Sequence, residues 1–266
     1  MYMSEVTIGA SIPIKTTLND ILLGGDAISS IVGLMDVSCN SVLTSMFEHG
    51  MSFSESVVAT YETGLFQEDI FEDLNGTDAA KQLLVLAREL GVPLQLGDVQ
   101  VQSLLSSQGH IIDNWNSLQD VQLAFKLEDV QMAERVLAAK NKGCTLRYVQ
   151  RIECKEPIEL GYTSAAVQRG CTASVTLEEV PIHSTFAQLK GPIYHFAFNT
   201  RRYAGSPLVI QGPHADSLNI ASGIVGDILR VAKALGAKDK GPDMLKERAN
   251  TMSSSSVSPK NTRMWH

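Results

Sequence analysis

Between Gln67 and Gln82 the chain reads QEDIFEDLNGTDAAKQ, five carboxylates in sixteen residues with a glutamine at each end. Carboxylates crowded in this way can hold a cation such as an organic ammonium group, move protons, or sit against the positive end of a helix. Asp78 and Gln82 stand four residues apart, so on a helix both project from one face. A glutamine amide hydrogen-bonds but neither carries charge nor delivers a proton near neutral pH. From Asp78 to Leu90, the residues Ala80, Leu83, Leu84, Ala87 and Leu90 make one apolar stripe, and Gly91 and Pro93 stop the pattern. Asp78, Gln82 and Glu89 fall opposite that stripe. Periodicity alone reads their side as a solvated face, with the acids favouring the helix dipole.

The elements around this stretch follow from pattern and punctuation. Thr16–Leu23 reads as a short helix ended by Gly24 and Gly25, and Ala27–Leu34 as a strand. Ser38–His49 is helical and closed by Gly50; Ser52 or Ser54 caps a helix that stops near Gly64. Residues 128–142 are amphipathic. Leu146–Ile152, Ile158–Tyr162, Ala173–Leu177 and Ile193–Asn199 read as strands, Pro207–Gln211 as another, and Ser217–Leu235 as a last helix. The plan is α+β, a mixed sheet with helices: helical first half, strand-rich second half, closing helix. Residues 1–236 read as one domain and 237–266 as a Ser-rich disordered tail.

Composition narrows the function. A net charge of −7 argues against nucleic acid as a partner. Nothing approaches the run of about 18 apolar residues that a membrane helix needs. The start, MYMSEVTIGASIP, lacks the basic and apolar regions of a secretory signal and is not an Arg-rich transit peptide. Cys39, Cys144, Cys154 and Cys171 have no CxxC spacing. They read as small buried apolar residues of a reducing compartment rather than as a zinc site. The expectation is a cytoplasmic protein, or an organellar one if the true N-terminus lies further upstream. No strand–GxGxxG–helix unit occurs, so a dinucleotide has no phosphate-binding turn of that kind.

Four stretches together resemble the substrate-binding and dimerisation domain of homoserine dehydrogenase. EVTIGASIP (5–13) is similar to the family's E-x-x-V-G-A-G-L-P, and HGMSFSESV (49–57) to its E-G-M-S-F-S-E. EDLNGTDAAKQLLVLARELG (72–91) is similar to D-D-L-N-G-x-D-V-A-R-K-L-L-I-L-A-R-E. PLVIQGPHADSLNIASGIVGDILRVA (207–232) is similar to P-L-V-I-Q-G-x-G-A-G-x-x-V-T-A-A-G-V-x-x-D-L-L-R. Order and spacing hold from about residue 4 to 236. The family also occurs within bifunctional aspartate kinase–homoserine dehydrogenases.

The resemblance implies interconversion of L-homoserine and L-aspartate 4-semialdehyde with NADP or NAD. It also implies a role in amino-acid biosynthesis and a dimer. Gln67 falls on the family's substrate-binding Glu, and Gln82 on its proton-donating Lys. The resemblance makes Asp73 a catalytic position and Asp78 a substrate-binding one, and Gly64 matches a glycine beside the cofactor. In the closing loop His214 and Asp216 replace glycines, Asp216 adding negative charge near the dinucleotide. The family's S-G-T-x-N reads here Asp36-Val37-Ser38-Cys39-Asn40. Glu5, Ile8, Ala10 and Ile12 match positions whose backbone carbonyls hold Na+ or K+ in the family.

Two functions are compatible with these departures. One is a homoserine dehydrogenase portion, truncated ahead of Met1 and catalytically impaired. The other is a pseudoenzyme that pairs with itself, or with a full-length paralogue, as a dimerisation or regulatory module.

Overall fold

The computed structural model of the protein describes residues 5–10, 12–66, 69–106, 117–160, 170–214 and 217–236. The chain divides into a main unit, Ser4–Ile224, and a second unit made of Met1–Met3 and Val225–His266. The expected tail, 237–266, lies outside the described residues.

The first half of the main unit is helical, as the apolar spacing predicts. Its helices are α1 (Ile14–Leu23), α2 (Val37–His49), α3 (Phe53–Glu62), α4 (Ile70–Leu74), α5 (Thr77–Glu89), α6 (Leu118–Phe125) and α7 (Asp129–Asn141). Strands β1 (Ile28–Leu34) and β2 (Val99–Val101) interrupt them. Then follow β3 (Cys144–Ile158), β4 (Cys171–Pro181), α8 (Thr185–Gln188), β5 (Ile193–Thr200), β6 (Leu208–Pro213) and α9 (Ser217–Ala234). In the second unit the described part is the end of α9, where Arg230 pairs with Asp227 at 2.8 Å.

The strands form a six-stranded sheet in the order β2-β4-β3-β1-β5-β6. All neighbours are antiparallel except β2 and β4, which run parallel. One sheet face carries Ile31, Tyr148, Ile152, Phe196 and Phe198, all fully buried in the main core beneath the helices. The opposite face is covered near one end by α8 over a small cluster of Val32, Leu34, Val149 and Leu189.

Helix ends follow the predicted chemistry. Ser52 caps α3 and forms a capping box with Glu55. Gly50 ends α2 at φ +67°, a left-handed conformation that glycine enters without steric cost. The α5 stripe is confirmed, with Ala80, Leu83 and Ala87 fully buried. No helix among the described residues is long and apolar enough to cross a membrane.

Three expectations need correction. The separate strands expected at Leu146–Ile152 and Ile158 onward are one strand, Cys144–Ile158. Its exposed Glu153, Lys155 and Glu156 broke the apolar pattern, yet they lie on the outer stretch of a strand paired on both sides. The short elements α4, β2, α6 and α8 lacked enough periodicity to be read. The cysteines are not all small buried apolar residues: Cys39 is buried and Cys144 half-buried, whereas Cys154 and Cys171 form a disulfide. These two face each other across the β3–β4 pair with Cα atoms 4.0 Å apart.

Candidate functional site

The acidic stretch folds as two helices that meet at a glycine. Asp69 caps α4 by accepting from the Phe71 N–H at 2.8 Å. Gly76 then takes φ +83° and opens α5. A Cβ on Gly76 would stand 2.2 Å from the Tyr148 hydroxyl oxygen and 2.7 Å from Val101 Cγ1, so only glycine fits. The Tyr148 hydroxyl donates to the Gln102 carbonyl at 2.8 Å. This close approach seats the start of α5 against β3.

The N-terminus of α2 reaches the same place through Cys39, which touches the Asp73 backbone. Asp36 caps this helix: Oδ1 accepts from the Cys39 N–H at 2.9 Å and from the Ser38 hydroxyl at 2.9 Å. Oδ2 is buried and has no hydrogen-bond partner. Burial pushes the Asp36 carboxyl above the ordinary carboxylate range; the cap donors oppose this and the charge of Asp78 adds to it. The Cys39 thiol donates to the Asp73 carbonyl at 3.4 Å. Burial, reinforced by Asp36 and Asp73, raises its pKa, which leaves it a poor nucleophile.

β5 and the residue after β6 add Tyr194 and His214. The Tyr194 ring centroid lies 5.8 Å from that of His214. Burial, with help from Asp36 and Asp73, pushes the Tyr194 phenol up to about 12. Burial lowers the pKa of His214, and its Nδ1 is buried without a partner. Asp36, Asp73, Asp78 and Tyr194 therefore share one electrostatic neighbourhood, and the phenol stays protonated at neutral pH.

The α5 face opposite the apolar stripe is not simply solvated, which corrects that reading. Asp73 is buried, the Asp78 side chain is 12% exposed, and Gln82 holds a buried Oε1 with no partner. Glu89 pairs with Lys15 at 2.6 Å. Lys81 bridges Asp78, at 3.0 Å, and Glu72. Those carboxylates, Glu72 foremost, hold its pKa well above the usual lysine value. A proton donor at neutral pH needs the opposite shift, so Lys81 stays a charged ion-pair partner.

The remaining expected site residues divide. Gln67 and Asp216 lie outside the described residues. Gly64 closes α3 at φ +70°, donating to the Tyr61 carbonyl at 3.0 Å, and the space beside it is open. Glu5 uses its carboxylate to cap α1 from a distance. It accepts from the N–H groups of Lys15 at 2.9 Å and Thr16 at 3.0 Å and from the Thr16 hydroxyl at 2.6 Å. Pro13, at the N-cap itself, makes no side-chain cap bond.

Gly9 and Ala10 follow at φ +64° and +52°. A left-handed alanine is strained, and such strain gathers at functional loops. The Ile12 carbonyl accepts from the Ile14 N–H at 2.8 Å, and the Gly9 carbonyl accepts from the Ile12 N–H at 3.0 Å.

Sequence reasoning did not single out Lys81, Tyr148 or Tyr194, and it read Asp36 only as a departure from a motif. Two signals were present: Asp36 sits where an N-cap belongs, and Lys81 follows Asp78 at ion-pair spacing. The tyrosines carried none.

The architecture is α+β, a six-stranded mixed sheet under helices whose ends bring Asp36, Asp73 and Asp78 near one another. The family model for homoserine dehydrogenase matches residues 13–229, and the chain belongs to the homoserine dehydrogenase family. It is 35% identical over 239 residues to bifunctional aspartokinase/homoserine dehydrogenase 2, chloroplastic, of Arabidopsis thaliana, covering 89% of this chain and 24% of that protein. It is 30% identical over 240 residues to bifunctional aspartokinase/homoserine dehydrogenase 2 of Escherichia coli, covering 88% and 26%. The chain thus spans about a quarter of the length of these relatives. The crystal structure of a homoserine dehydrogenase from Thiobacillus denitrificans shares the fold, with a TM-score of 0.64 at 20% identity over 90% of this chain and 47% of that one.

The family generally uses NAD(P). Among the described residues no strand leads through a glycine-rich turn into a helix N-terminus, so the phosphates of a dinucleotide find no cradle of that kind.

Proposed function

We propose that this chain is the substrate-holding and dimerisation portion of a homoserine dehydrogenase whose proton-transfer step is impaired. One observation carries the reading: Gln82 occupies the half-buried position on α5 beside Asp78, and its amide cannot supply a proton. In this reading Asp78 holds the polar end of an amino acid such as L-homoserine, and Asp73 serves the reaction beside it. Gln67 gives a weaker grip on its ammonium group than a carboxylate would. The left-handed Gly9–Ala10 loop supports Na+ or K+ on the carbonyls of Glu5, Ile8, Ala10 and Ile12. The chain by itself does not bind NADP or NAD, and calorimetric titration with either nucleotide checks this.

A second copy of the chain is the partner this reading favours. Beyond the stretch covered by α8, the outer sheet face presents half-buried Ser30, Arg151 and Thr176. Light scattering that gives a dimer mass supports the pairing, and a monomer mass at micromolar concentration removes it. The alternative is a non-catalytic regulatory module paired with an intact paralogue. It is favoured by a core and caps that stay intact while position 82 has changed.

A chimera separates the two. A family nucleotide-binding domain is fused ahead of Glu5, with His214 and Asp216 returned to glycine. Gln82→Lys should then raise kcat by about 10²-fold or more, and Gln67→Glu should mainly lower KM. Equal turnover with either residue at position 82 removes the catalytic reading and leaves the regulatory one.

A further inference from the structure

A cleft of about 360 Å³ opens where the C-terminal ends of α2 and α7 meet the start of β3 and α8. It lies at Glu48, at the other end of α2 from Asp36, so at 1.5 Å per helical residue it stands about 18 Å from the site described above. Three cations line it, Lys140, Arg147 and Lys190, against one carboxylate, Glu48.

Arg147 is the unusual member. It is 2% exposed. Its guanidinium donates to the carbonyls of Leu146 at 2.9 Å, Phe186 at 3.1 Å, Ala187 at 3.0 Å and Leu189 at 3.2 Å, and to the Thr145 hydroxyl at 3.2 Å. Every one of these partners is neutral. Among the described residues no carboxylate forms an ion pair with it. Buried charges are normally paired, because taking one out of water uncompensated is costly. Burial accordingly pulls the Arg147 pKa down, and the charge of Glu48 opposes this only in part.

The other two cations have simpler explanations. Lys140 Nζ lies 4.7 Å over the Phe47 ring, and Lys190 pairs with Glu48 at 3.0 Å. Both also suit the negative ends of α2 and α7, each of which carries roughly half a charge. Glu48 and the two helix ends together offset about two of the three cations. Roughly one positive charge is left, centred on a guanidinium that five hydrogen bonds hold rigidly in place.

We propose that this cleft binds a compact oxyanion, the phosphate or carboxylate end of a small molecule, held by Lys140 and Lys190 in the field of Arg147. The ligand would supply the countercharge that the fold leaves out.

Cys144 lines the same cleft and provides the readout. Cys39 is buried and Cys154 is bonded to Cys171, so a neutral reagent such as iodoacetamide reacts first at Cys144. Its rate is measured on the full chain by mass spectrometry with inorganic phosphate, with succinate, and with sodium chloride at matched ionic strength. At about ten times its Kd, a bound anion should slow alkylation about tenfold, following the usual one-plus-ratio law. Protection should saturate, chloride should not reproduce it, and Lys140→Gln with Lys190→Gln should abolish it. Protection by phosphate alone identifies a phosphate ligand, and protection by succinate alone a carboxylate one. The proposal is overturned if neither anion protects the wild-type chain saturably, or if the double variant is protected equally well.

Discussion

The side-chain amide of Asn40 clasps the backbone of Tyr148. Its Nδ2 donates to the Tyr148 carbonyl at 3.0 Å, and its Oδ1 accepts from the Tyr148 N–H at 2.9 Å. The β1–β3 ladder ends at Gly33 opposite Gln150, so Asn40 replaces a strand neighbour where β1 stops. Nδ2 also donates to the Asp36 carbonyl at 2.7 Å. The arrangement pins the N-terminus of α2, and with it Asp36 and Cys39, to the sheet.

Asn40→Ala should therefore cost about 2–4 kcal/mol, because it strands two buried backbone groups at once. Asn40→Asp keeps the acceptor but loses the donor, and it sets a carboxylate beside Asp36, so it should not rescue. Urea unfolding of the three proteins measures both effects. A loss below about 0.5 kcal/mol, the size of an ordinary surface change, would mean that the clasp does not hold α2.

Gly76→Ala should destabilise by about 3 kcal/mol or more, since it combines a left-handed backbone with a collision against Tyr148. Gly64→Ala is the control. It shares the left-handed φ but has open space around it, and it should cost only about 1–2 kcal/mol. Thermal unfolding should rank the two in that order. Equal losses would show that the helix–strand approach at Gly76 is looser than described.

Asp36 should make stability fall as pH rises. Its folded-state pKa is raised, so the native state binds the proton more tightly than the unfolded one. Stability from this group is greatest below the ordinary carboxylate pKa, and it declines as pH rises through that value to the raised one. Asp36→Asn keeps an oxygen for the cap and removes the titration. The variant should gain on the wild type progressively above about pH 4. Urea midpoints that track each other across this range would contradict the burial of Asp36.

Asp26 should do the reverse. Burial alone would raise its pKa, but hydrogen bonds from the Thr200 hydroxyl at 2.6 Å, the Ala27 N–H at 2.8 Å and the Arg202 N–H at 3.1 Å outweigh it and lower the pKa. Its contribution is present above the ordinary carboxylate pKa and disappears as pH falls through the lowered one. Asp26→Asn should cost about 1.5–3 kcal/mol near neutral pH, the worth of hydrogen bonds to a charged group. The cost should shrink on acidification. A difference that does not change with pH would show that the carboxylate charge is not what fastens β5 to the α1–β1 turn.

Much of the fold was legible in the residues because its causes are local. The α5 stripe, the Ser52–Glu55 capping box and the left-handed glycines at positions 50, 64 and 91 each act within one or two helical turns. The motifs in register also carried the family, since they preserve order and spacing along nearly the whole chain. Short elements such as β2 and α8 left no such trace, because three or four residues cannot establish a period.

The sequence by itself determined which residues are acidic, where the helices end, and that position 82 holds an amide. Only the tertiary structure decided what those residues face. Asp36, Asp73 and Tyr194 come from three distant segments, and the sheet order and the Gly76 contact with Tyr148 bring them together. That meeting buries Asp36 and leaves Oε1 of Gln82 without a partner, and the turn between α4 and α5 brings Glu72 to Lys81. Burial and charge proximity set the chemistry of an ionisable group, and both depend on distances through space that no local spacing encodes.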